Sequence, residues 1–134
     1  MKLNFFEKFT VKITTSFVLF FCIILSIHIH IFGKITAGGG FQAGAILSSG
    51  IIIFEFFNHT RLVSKGFLNI LTFSGLATYF ATGVLSLVFG GTIFEYSAFN
   101  SEYGHVFGSF CVETGVFFVV TSAMIRLSHL ISKN

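Results

Sequence analysis

Residues Ile13–Phe32 contain no Asp, Glu, Lys or Arg, and neither do residues Phe67–Phe89. Each block, wound as a helix at ~1.5 Å per residue, spans the ~30 Å hydrocarbon core of a bilayer. Two further apolar segments, 40–57 and 104–127, carry one acid each, Glu55 and Glu113. A water-soluble fold would have to cover all four on every side, and the chain lacks the means. Only 10% of its residues are charged, against ~25% in a typical soluble domain, while 54% are hydrophobic. The sequence predicts an all-α integral membrane protein in which 1–134 form a single membrane domain. Its four transmembrane helices are expected over 13–32, 40–57, 67–89 and 104–127.

The scattered basic residues orient those helices. With both termini cytoplasmic, Lys2, Lys8, Lys12, Arg61, Lys65, Arg126 and Lys133 fall inside and Lys34 alone falls outside. That bias satisfies the positive-inside rule and supports the helix count independently of hydropathy. It places the acidic connector containing Glu95 and Glu102 on the outer side. Because the cations are spaced singly, the net charge of +3 does not describe a nucleic-acid surface. A basic start before an apolar run also suits a signal peptide. The run is long, however, and has no small-x-small cleavage site, so a retained first helix is expected.

The second segment opens on Gly38-Gly39-Gly40-Phe41-Gln42-Ala43-Gly44. Glycine weakens a helix by ~1 kcal/mol relative to alanine, so a run of it marks a bend or a very close neighbour. Gly40, Gly44 and Ser48 recur at every fourth position and share one helix face, the small-xxx-small device for close packing. On the third segment Ser74, Thr78, Thr82 and Ser86 form another such series, flanked by Gly75 and Gly83. It reads either as a packing stripe or as a polar lining. Hydroxyls that bond their own preceding carbonyls need no aqueous path. Cys22 and Cys111 lie singly in apolar blocks and read as small buried hydrophobes. Asn58-His59-Thr60 fits the glycosylation pattern, but on the side expected to be cytoplasmic.

Glu113 stands out chemically. A carboxyl at mid-helix costs at least ~2.5–3.5 kcal/mol to insert, so it is expected to face the bundle interior or an aqueous cavity. It can hold and release a proton, as a proton path requires. Ser109 and His105 lie at successive fourfold steps toward the outer surface, giving the stripe His105, Ser109, Glu113. The alternative is that Glu113 bonds a neighbouring helix or subunit and holds an interface. Glu55, near the end of its helix, is expected to snorkel or pair. His28 and His30 point ~200° apart on a helix and cannot clasp one metal from one face. A haem-holding membrane anchor for a redox enzyme is the competing use for a histidine. No catalytic, cofactor-binding or metal-ligating set emerges, and an enzyme is not expected.

The glycine run entering the second helix resembles the Pro-Gly-Gly-Gly-Phe-Gln-x-Gly signature of the B subunit of Mrp/Mnh-type monovalent cation/proton antiporters. Glu113-Thr114-Gly115-Val116 is similar to the Glu-x-Gly-Val segment in that family's last helix. Ala37 stands where the family usually has proline. The resemblance implies a four-helix accessory subunit of a multi-subunit Na+(K+)/H+ antiporter in the bacterial cell (inner) membrane. It implies partners among the other antiporter subunits, including large proton-channel-like subunits, within the lipid bilayer. It implies no cofactor and no nucleic acid. Ion transport and purely structural roles both remain open, as does a related complex I-like or hydrogenase-type membrane complex.

Overall fold

The computed structural model describes residues 5–33, 38–88, 93 and 104–132. Its four helices are α1 (Phe5–Phe32), α2 (Gly40–Asn58), α3 (Lys65–Val88) and α4 (Gly104–Ile131). All four are long and apolar enough to cross a membrane. Hydropathy marks where a helix leaves hydrocarbon, whereas the backbone hydrogen bonding runs on. Thus α1 already includes Phe5, well before Ile13, and α4 continues past Leu127 to Ile131. Phe89, Ala37, Glu95 and Glu102 lie outside the described residues.

The helices form a row rather than a closed ring. α1 packs on α2, α2 on α4, and α4 on α3, with a lighter contact between α1 and α4. Among the described residues α3 makes no comparable contact with α1 or α2. The sequence supplies small residues where helices meet. The fully buried side chains include Ser26, Ser48, Ser86 and Ser122, with Leu68 and Ile125 as the large apolar ones. Phe17, Phe20, Phe21, Phe73 and Phe80 point outward instead, each at least 60% exposed. This distribution suits a bilayer solvent, in which helix association depends on close packing and hydrogen bonds rather than on escape from water.

Buried hydroxyls are satisfied locally or across one interface. Thr78 donates to the Ser74 carbonyl at 2.8 Å and Thr82 to the Thr78 carbonyl at 2.7 Å. Ser74 donates to the Leu71 carbonyl at 3.0 Å. These three side chains therefore bond within α3. Ser26 behaves differently and donates from α1 to the Ala43 carbonyl of α2 at 2.9 Å. Ser26→Ala is expected to destabilise by ~0.6 kcal/mol and by no more than ~1.7 kcal/mol, the range for interhelical hydrogen bonds in membranes. Thermal unfolding in detergent measures it, and no measurable loss would show this bond to be energetically idle.

At one end of the row, three polar links tie successive helices together. The Asn58 amide of α2 donates to Thr15 Oγ1 of α1 at 2.8 Å, and also to the Phe54 carbonyl at 2.9 Å. Glu55 of α2 meets His129 of α4 at 2.5 Å. Arg126 of α4 donates to Asn69 Oδ1 of α3 at 2.7 Å. Toward the opposite end close packing of glycines joins the Ser26–Ala43 bond in holding the helices, and that is where Glu113 lies.

Candidate functional site: the Glu113 turn of α4

The chain turns into α2 through Gly39, whose φ of 156° and ψ of −178° suit glycine alone. Its carbonyl accepts the Ala43 amide at 3.1 Å, the first bond of the helix. The next residue, Gly40, is buried against α4. A Cβ placed there would lie 1.8 Å from the Glu113 carbonyl oxygen. One turn on, a Cβ at Gly44 would meet the Phe117 carbonyl oxygen at 2.9 Å and Thr121 Oγ1 at 3.2 Å. Ser48 completes this buried face and bonds the Ala45 carbonyl of its own helix. Phe41 and Gln42 point away from it and are exposed, and Gly38 lies beside Ile29 and Gly33.

The other side of the same α4 turn packs on α3. A Cβ at Gly115 would sit 2.8 Å from the Gly75 carbonyl oxygen, and one at Gly75 would sit 2.7 Å from the Gly115 carbonyl oxygen. Glu113 and Gly115 are thus gripped from two directions, by Gly40 on α2 and Gly75 on α3. The glycine run and Glu113 are far apart in the chain but touch in space.

The Glu113 side chain accepts a long hydrogen bond, 3.5 Å, from Ser109 Oγ to Oε1. Its Oε2 is buried and has no hydrogen-bond partner among the described residues. His105 occupies the first turn of α4, and its side chain lies outside the described residues. His30 of α1 reaches the same turn. Its Nε2 is 3.1 Å from Thr114 Oγ1, whose hydroxyl donates to the Phe110 carbonyl at 2.8 Å. A hydroxyl has one proton to give, so His30 Nε2 is the donor in the first bond. The imidazole lies between Phe110 and Phe117, with centroid distances of 5.2 and 5.0 Å. Its Nδ1 is also buried without a partner among the described residues. Glu113 is close enough to act on this ring electrostatically.

His28 stays on the exposed side of α1, stacked on Phe32 at 4.8 Å. The two histidines are therefore not brought together. No group of three or more His, Cys, Asp or Glu side chains among the described residues is placed to hold a metal. Cys22 and Cys111 are free and half-buried, with Cys22 packed against Gly50. Sequence reasoning missed His30 as a neighbour of Glu113, because nothing in the spacing of α1 indicates which face meets α4.

Glycines of the second helix pressed on the Glu-x-Gly turn of the fourth bring together the two motifs that carried the sequence resemblance. The family described as a domain related to the MnhB subunit of Na+/H+ antiporter matches residues 10–126. The chain belongs to the MnhB family. Neither a curated protein nor a solved structure gave a match. The MnhB match runs from the first turns of α1 to Arg126 and so covers both motifs. Within this MnhB domain, Gly40, Gly75, Glu113 and Gly115 form one packed site rather than separate features.

Proposed function

We propose that the chain is an accessory membrane subunit of a multi-subunit Na+(K+)/H+ antiporter. In this reading it supports cation efflux driven by the proton-motive force, and thereby pH and sodium homeostasis. Its setting is the bacterial inner membrane, with both termini cytoplasmic and large proton-channel-like subunits among its partners. Glu113, with Ser109 and His105 leading outward along one face of α4, contributes to the ion or proton path. The observation that carries this reading is the Glu113 carboxyl itself. It sits inside an apolar span with Oε2 buried and unpartnered among the described residues, in a chain of the MnhB family. Such a group is retained against a substantial insertion cost, which favours a functional role.

Glu113→Gln tests the proposal because it preserves shape and removes the titrating proton. The variant complex is expected to assemble, while Na+/H+ exchange in everted membrane vesicles falls to background. Normal exchange by an assembled variant would overturn the path role. Failure to assemble would favour the second reading, in which the subunit packs and stabilises its larger partners. The seating of Gly40 on the Glu113 backbone supports that second reading.

A further inference from the structure

The positive charge of Arg126 is met by neutral groups. One guanidinium nitrogen donates to Asn69 Oδ1 at 2.7 Å and to Thr72 Oγ1 at 3.1 Å, both on α3. Its Nε is buried and has no partner among the described residues. The nearby Glu55 carboxylate is engaged by His129, and Arg126 takes no part in that contact. An uncompensated guanidinium inside an apolar span is costly, so an anion that completes it is stabilising.

The surface beside Arg126 has room for one. A groove of about 290 Å³ opens between α3 and α4, lined by Lys65, Leu68, Asn69, Arg126 and Leu130. Its charged lining is wholly cationic. Lys65 begins the α3 span, and Arg126 lies just inside the end of the α4 span. The two cations thus stand where headgroups meet hydrocarbon. Further into the span the same α3–α4 seam carries an apolar groove of about 190 Å³, lined by Leu76, Tyr79, Gly115, Val116, Val119 and Val120. Charge at the headgroup level with an apolar wall beside it matches an amphipathic anion. A free inorganic anion would leave that apolar groove unused.

We propose that the groove beside Arg126 binds the phosphodiester headgroup of an anionic phospholipid, with an acyl chain running inward along the apolar groove at Leu76 and Val119. The proposal does not depend on whether the subunit conducts ions.

Native mass spectrometry of the detergent-released complex tests it, by titration with dioleoyl phosphatidylglycerol against dioleoyl phosphatidylcholine. Phosphatidylglycerol is expected to be retained in preference to phosphatidylcholine. Each cation removed should weaken its binding about fivefold. Lys65→Gln alters an exposed side chain and should keep the fold, and Lys65→Gln with Arg126→Gln should erase the preference. Arg126→Lys should retain most of it, which separates lost charge from lost packing. Equal retention of both lipids, or an unchanged preference in the double variant, overturns the proposal. Displacement of phosphatidylglycerol by millimolar inorganic phosphate would identify a free-anion site and overturn it too. So would a groove closed to lipid by a carboxylate of another subunit, seen as a crosslink from Lys65 to that subunit.

Discussion

Gly40→Ala is expected to prevent α2 and α4 from seating, and with it the accumulation of assembled subunit in the membrane. The new methyl carbon would lie 1.8 Å from the Glu113 carbonyl oxygen, 2.7 Å from its carbonyl carbon and 3.1 Å from its Cα. Ordinary contact begins at 3.4 Å, and the obstructing atoms are backbone, which cannot rotate aside. Overpacking a well-fitted core costs ~1–3 kcal/mol, and occasionally more. Here the helices must part, which also disrupts the contact at Gly44. Gly66→Ala supplies the control. It lies in the first turn of α3 with nothing within 4 Å, so alanine there should be neutral or stabilising by up to ~1 kcal/mol. Immunoblots of solubilised complex and thermal unfolding in detergent would compare the two. Wild-type behaviour of Gly40→Ala would mean that α2 and α4 do not meet at this point.

Glu55→Ala should be the most damaging side-chain truncation at the opposite end. The Glu55 carboxylate is buried, at 8% exposure, and has three partners. Oε1 accepts the Leu62 and Val63 amides at 2.8 and 3.2 Å, and Oε2 meets His129 Nε2. One side chain therefore fixes the path of the α2–α3 connector and ties α2 to α4. Removing it leaves two amides and an imidazole without an acceptor. Breaking such a buried cluster from one side costs ~3–5 kcal/mol. Glu55→Gln keeps an oxygen for the amides and should lose markedly less. Thermal unfolding should rank wild type above Gln and Gln above Ala, with the connector 59–64 becoming protease-sensitive in the Ala variant. Equal stability of all three would show the cluster to be energetically idle.

The contrast between these two sites explains what a sequence of this kind reveals. Charge-free blocks are legible because the bilayer imposes a length and a polarity on each crossing segment. The glycine run announced a bend or a close neighbour, and the structure has both, the turn at Gly39 and the contact at Gly40. It could not announce the partner, because Gly40 meets a carbonyl oxygen that any residue type would present at position 113. Glu55 was legible as a group that would either snorkel or pair, and it pairs. His129 was not legible as that partner, since it lies 74 residues on, beyond the expected end of α4. The helix carries His129 into place through backbone hydrogen bonds that hydropathy does not register. The α3 hydroxyl series admitted two readings, and the bonds of Ser74, Thr78 and Thr82 to their own helix favour packing. Glu113 and Ser109 were recognisable as a stripe along α4. The approach of His30 depends on how α1 leans on α4, which is a tertiary fact.

The single-file arrangement of the helices limits what the subunit can do alone. A ring of helices can enclose a lumen, but a row has two faces and no inside. In the path reading, the Glu113 carboxyl beside the α2–α4 crossing hands a proton sideways to a neighbour. It cannot stand within a tube walled by its own chain. Any continuous aqueous route past Glu113 must take its second wall from another protein or from lipid. Under the path reading, this subunit is one half of a conduit.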